Sequence, residues 1–284
     1  MFWNQIKTVL LLGCLSGLFF LLGYWIGGEN GLIFAFLFSL LLNFITYFYS
    51  DKIVLKVYKA VPLDRSKYDY VYNIVQELCY NANLPMPKLW YVPNQMANAF
   101  ATGRNPQNSS VAVTQGILDV LDENELRGVL SHELSHIKNR DVLIATVAAT
   151  IAMAIAYFAD MLRWSLILGS GRDRNRSSGF GAIIVALIMP IAALLIQFAI
   201  SRSREYLADE TGAKMSHDPL ALAAALEKLT AEAKHQKLKA KTNVQTSTAS
   251  LFIVYPFLGS GFKNLFSTHP PMQKRIAKLR QMAH

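Results

Sequence analysis

The run Asp122-Glu-Asn-Glu-Leu-Arg-Gly-Val-Leu-Ser-His-Glu-Leu-Ser-His136 holds both the helix signal and the chemistry of this chain. Asp122 with Glu125 three positions later has the pattern of a capping box, and Val129, Leu130 and Leu134 follow at helical spacing. A helix from Asp122 to about Arg140 is predicted. Residues four apart on a helix differ by about 40° around the axis and about 6 Å along it, so His132 and His136 project from one face. Two imidazole nitrogens presented together suit a zinc ion. Glu133 lies off the ligand direction, where a carboxylate can act as general base on water without binding the metal. A shuffled chain of this composition would contain such a pentad only ~0.004 times, so chance is a poor explanation of it.

A catalytic zinc site needs a third protein ligand and an open position. The segment Ser201-Arg-Ser-Arg-Glu-Tyr-Leu-Ala-Asp209 repeats the four-residue spacing at Glu205 and Asp209. One of these can bind metal while the other orients a ligand histidine through its second ring nitrogen. Spacing alone also fits a solvated helix face. Arg202, three residues before Glu205, either supports a carboxylate or faces lipid headgroups.

The chain has 284 residues, 52% of them hydrophobic and 17% charged, and a mean hydropathy of +0.26. Apolar stretches at 8–27, 31–49, 142–159 and 179–200 each reach the roughly 18 residues at which a bilayer span is predicted. The run after Lys7 continues past Cys14 and reads as an uncleaved anchor rather than a signal peptide. Two cysteines, Cys14 in an apolar stretch and Cys79 outside it, offer neither a disulfide framework nor a cysteine metal site. The net charge of +9 comes without the aromatic-interleaved basic motifs of nucleic-acid binders and reads as the positive-inside bias of a membrane protein.

Four segments follow from this patterning. Residues 1–50 form an N-terminal transmembrane hairpin, and 51–141 the first part of a cytoplasmic catalytic domain. Residues 142–200 form a second hydrophobic hairpin, and 201–284 the rest of the domain. Within 51–141, residues 68–81 read as helix, and 88–92 and 110–114 as strands. Residues 220–233 read as an amphipathic helix, and 234–250, with four lysines, as a polar surface segment. Glycine spacings at Gly13/Gly17 and Gly23/Gly27 suit close helix contact. The turn Gly28-Glu29-Asn30 suits the non-cytoplasmic side, and both zinc segments must share one side, so the chain between them crosses an even number of times. The connector 163–178 opposes this with four arginines against one aspartate. The 22 residues of the fourth stretch are long enough to span, which favours two crossings.

The two motifs, separated by a hydrophobic hairpin, resemble the HtpX family of bacterial membrane zinc proteases, relatives of the CAAX prenyl endopeptidases, over nearly the whole chain. The implied fold is a mainly α integral membrane protein of four hydrophobic helices with a cytoplasmic zincin-like (gluzincin) α+β catalytic domain and a small edge sheet. The resemblance implies one Zn2+ per chain, with Glu205 as third ligand and Asp209 behind it. It assigns Asn98, Ala99 and Phe100, in Asn98-Ala-Phe-Ala-Thr-Gly103, to an edge strand that pairs with extended substrate. It also makes His269 a contact to substrate or oxyanion. The implied activity is hydrolysis of misfolded or damaged membrane proteins, with self-cleavage, at the cytoplasmic face of the bacterial inner membrane. A CAAX-type endopeptidase shares these motifs. A non-catalytic scaffold or transporter would need ionisable groups inside its spans, where Asp160 alone comes near.

Overall fold

The computed structural model describes residues 2–152, 202–236, 253 and 270–283. Helix α1, Phe2–Val57, is two helices joined at Gly28, whose φ of 57° and ψ of −136° suit a residue without a side chain. The two legs lie against each other. Phe19 and Phe38 meet edge to face at 5.1 Å, and the Asn43 amide donates to the Ser16 hydroxyl at 2.8 Å. A methyl group on Gly23 would strike the Gly31 carbonyl and Ala35 of the opposite leg. Gly13, Gly17 and Gly27 face open space, so the glycine contact belongs to this hairpin and rests on Gly23 and Gly31.

The second leg, Gly27–Val57, is long and apolar enough to cross a bilayer. Its 31 residues span about 46 Å, more than the roughly 30 Å hydrocarbon core. The far end of the leg docks on strand residues and on the third apolar stretch: Val54 and Leu55 pack with Val92, Phe100 and Ala112, and with Ala149. The membrane leg and the sheet are therefore joined by a shared apolar core.

The sheet contains β1 (Val61–Pro62), β2 (Lys88–Val92), β3 (Ala99–Asn105) and β4 (Asn108–Thr114), in the order β1-β2-β4-β3. Strand β2 runs parallel to β4, and β3 antiparallel to it. The segment expected to be an edge strand is thus an edge. Gly103, at a φ of 140° beside an irregularity in the β3–β4 pairing, has no space for a Cβ against the Asn108 carbonyl.

Helix α2 (Asp69–Ala82) buries Val71, Ile74, Val75 and Leu78, at the helical repeat. Short α3 (Gln115–Val120) leads to α4 (Glu123–Lys138). The capping box is present: Glu125 N–H donates to the Asp122 carboxylate at 2.9 Å, and Asp122 N–H to the Glu125 carboxylate at 3.0 Å. Helix α5 (Val142–Ala152) sets Ile144, Val147, Ala148 and Ile151 against Leu15 of α1. Helices α6 (Arg202–Ser216), α7 (Pro219–Gln236) and α8 (Met272–Gln281) complete the described chain.

Helix α4 packs against both α6 and α7. A Cβ on Gly212 of α6 would sit 3.0 Å from the His132 nitrogen, and one on Gly128 of α4 would sit 2.6 Å from the Leu222 nitrogen of α7. Larger residues at these two positions would push the three helices apart. The rest of the third apolar stretch, the arginine-rich connector, the fourth stretch, residues 237–252 and His269 lie outside the described residues.

Candidate metal centre

On α4 the two histidine rings converge, Nε2 to Nε2 at 3.2 Å. Helix α6 brings Glu205 opposite them. One Glu205 oxygen lies 3.8 Å from His132 Nε2 and the other 3.7 Å from His136 Nε2. Tetrahedral zinc with bonds of about 2.05 Å holds its ligand atoms about 3.3 Å apart, close to the separation of the two ring nitrogens, and one atom from each of the three residues lies within 4.8 Å of the others. Two imidazoles and one carboxylate are also the donor set of a catalytic zinc site that keeps a fourth position open. These three residues are the group of ligand atoms able to hold a metal among the described residues.

Each histidine has a carboxylate on its other nitrogen. His132 Nδ1 faces Asp209 at 3.0 Å, and His136 Nδ1 lies 3.2 Å from both oxygens of Asp141. A proton held on Nδ1 by a carboxylate leaves Nε2 as the metal-binding atom. Asp209 is in turn clamped by Arg275 of α8, whose Nη2 and Nε donate to its two oxygens at 2.6 and 2.7 Å. Arg275 is completely buried, and its Nη1 also approaches Glu205 at 3.5 Å. Burial opposes the charged form of Asp209, but Arg275 and His132 outweigh it and hold the carboxyl below the usual carboxylate range. Burial likewise opposes a charged His136, yet Asp141 and Glu205 raise the ring to about 10.

A family model described as Peptidase family M48 matches residues 65–283. A "Protease HtpX homolog" of Thermococcus sibiricus is 52% identical over 282 residues, covering 98% of this chain and 96% of the relative. Another, of Persephonella marina, is 50% identical over 281 residues, covering 99% and 98%. The chain belongs to peptidase family M48. It is a membrane-bound zinc metalloprotease. At longer range the fold is similar to the crystal structure of S. mikatae Ste24p, with a TM-score of 0.53 at 15% identity, covering 98% of this chain and 66% of that one.

In this M48 peptidase Glu133 is buried, and its Oε2 accepts the Ala101 N–H of β3 at 2.9 Å. Burial raises its carboxyl above the usual range. The alternation of β3 explains the contact. Asn98 bonds to Thr114 in line with β4, so the main-chain groups of Ala99, Ala101 and Gly103 point to the edge that no other described strand pairs, with Ala101 facing Glu133 of α4. The side chains of Asn98, Ala99 and Phe100, the assigned substrate residues of this strand, are all buried. The Asn98 oxygen accepts the Ile253 N–H at 3.1 Å. Phe100 lies in the core against Tyr58, rings 5.2 Å apart. Ala99 is fully buried. What this strand presents to the site is backbone.

Arg202 is exposed at the first residue of α6, and the guanidinium that engages Glu205 and Asp209 belongs to Arg275. Asp141 and Arg275 were absent from the sequence-based site. Asp141 is placed by the end of α4, where Arg140 turns left-handed at a φ of 55°. Asp141 N–H then bonds back to the His136 carbonyl at 3.2 Å, and Arg140 N–H to the Ile137 carbonyl at 3.2 Å. This pair of bonds is a Schellman turn, and it folds Asp141 against the ring it supports.

Proposed function

We propose that this protease cleaves extended segments of misfolded or damaged membrane proteins, itself included, at the cytoplasmic face of the bacterial inner membrane. The carrying observation is the Ala101 N–H on Glu133, which sets the outer strand of the described sheet beside the candidate general base. In this reading the chain crosses the bilayer four times, with 1–50 and 142–200 as hairpins and 51–141 and 201–284 together forming the catalytic domain. The docking of Val54 and Leu55 on the sheet supports a site close to the membrane surface.

His132, His136 and Glu205 would hold the ion, and zinc so held supplies Lewis acidity, polarising a scissile carbonyl and making water acidic. The chain's own residues do the rest. The outward main-chain groups of β3 pair with an extended substrate, which accepts many sequences because backbone carries the recognition. Glu133 is fixed by Ala101 through Oε2. Its Oε1 takes the proton from the attacking water and returns it to the departing amine nitrogen. A carboxyl raised by burial suits that exchange, because it accepts a proton more readily than an exposed one. Asp209 and Asp141 keep the histidine rings turned.

Glu133→Gln tests this directly. The variant should retain about one zinc per chain and lose cleavage of casein and of its own chain; undiminished cleavage sinks the proposed role. A panel pairing an unfolded membrane protein with a prenylated peptide separates this substrate class from CAAX-type processing.

A further inference from the structure

Where the second leg of α1 leaves its apolar band, a cavity of about 400 Å³ lies between that helix and the sheet. Its wall on the helix side includes Phe44, Phe48 and Tyr49, and its polar rim carries Lys52, Lys88 and Arg104 against a single carboxylate, Asp51. Positions 44, 48 and 52 repeat every four residues, so one helix face supplies aromatic rings and then a cation. The cations are built onto the rings. The Arg104 guanidinium lies 5.2 Å over Phe48, and the Lys52 ammonium 5.1 Å over Tyr49. A guanidinium stacked on a ring keeps its donors along its edge, where they can meet an anion.

This combination selects its occupant. Three cations against one anion favour a ligand of net negative charge, which argues against a zwitterionic headgroup. The exposed ring of Phe44, next toward the apolar band, favours a ligand with a hydrocarbon part, which argues against a bare phosphate. Aromatic rings followed by Lys and Arg at the end of a span mark the headgroup level of a bilayer, and anionic lipid is concentrated on the cytoplasmic side. We propose that this cavity binds an anionic phospholipid, its phosphate among Lys52, Lys88 and Arg104 and its acyl chain along Phe44. The inference rests on the membrane orientation proposed above. Arg104 belongs to β3, the strand whose Ala101 touches Glu133, so bound lipid would tie the edge strand to the bilayer surface.

Native mass spectrometry of the full-length zinc-loaded chain, released from micelles containing phosphatidylglycerol or phosphatidylcholine, tests the site. Wild type should retain one phosphatidylglycerol, and the triple variant Lys52→Gln, Lys88→Gln, Arg104→Gln should retain at least about tenfold less. Zinc content reports whether the variant has folded. If it has not, the single variant Arg104→Gln should still retain less than Arg104→Lys. Equal retention by Gln and Lys variants, equal retention of the two lipids, or stripping of the lipid by excess inorganic phosphate overturns the proposal. Maleimide labelling of Lys56→Cys in sealed vesicles reads the orientation separately. Labelling from the wrong side refutes the topology even where lipid retention holds.

Discussion

His132 and His136 sit four residues apart on one helix and converge on one point, yet different kinds of structure hold them. His136 is backed by Asp141, five residues along the chain, and its side chain keeps 18% of its exposure. His132 is backed by Asp209 of α6, which is held by Arg275 of α8, and these three are buried almost completely. One support is a local turn that holds a buried carboxylate against a partly exposed ring. The other is a dry ion pair assembled from three helices. A buried pair draws much of its importance from the cost of losing one member, because the survivor remains charged where water cannot reach it. The two sides of the metal centre should therefore fail differently.

The largest effect is expected from Arg275→Met, which strands Asp209 in the core. A loss of about 3–5 kcal/mol in folding stability is expected, with zinc lost alongside it, read from thermal unfolding in detergent and metal analysis. A variant as stable as wild type would show that the pair is not what braces the site. Next comes Asp209→Asn, which keeps the shape but removes the charge beside His132 Nδ1. Zinc affinity should fall about 10–100-fold in a chelator competition. Asp141→Asn should weaken zinc nearer the low end of that range, about tenfold, because water can reach the partly exposed ring that Asp141 supports. Should Asp141→Asn prove the more damaging of the two, the contrast between the local support and the interhelical one is broken. The smallest effect belongs to the distant end of the same helix. Asp122→Ala removes the capping bond and should cost about 1 kcal/mol of stability with zinc affinity intact. A change in affinity there would mean that the helix transmits its fraying to both histidines, removing the distinction between them.

The His136 side was partly legible. The four-residue spacing, the capping box and the helical run are local patterns, and α4 follows them to within two residues of the expected end. Asp141 was missed because its position depends on Arg140 adopting a left-handed backbone, which a non-glycine residue does not advertise. The His132 side was legible only as far as Glu205 and Asp209, whose spacing gave a shared face without assigning partners. Arg275 was hidden because Met272–Gln281 has the composition of a basic surface helix, and nothing local marks one of its cations as buried. Arg202 stands near Glu205 in sequence, whereas the structure leaves its side chain exposed.

Periodicity and composition thus determined the parts. They settle the apolar hairpin turning near Gly28, the helix with two histidines on one face, the strands at 88–92 and 110–114 and the acidic pair four residues apart. Each depends on interactions spanning a turn of helix, a pair of neighbouring residues or the width of a bilayer, so the chain carries them in adjacent letters. Tertiary structure alone decided the pairings: β3 at the edge of the described sheet with Ala101 on Glu133, Gly212 admitting α6 to within contact of α4, and Arg275 closing over Asp209. These depend on packing between segments far apart in the chain, where burial determines whether an ionic group is a surface charge or the brace of a metal site.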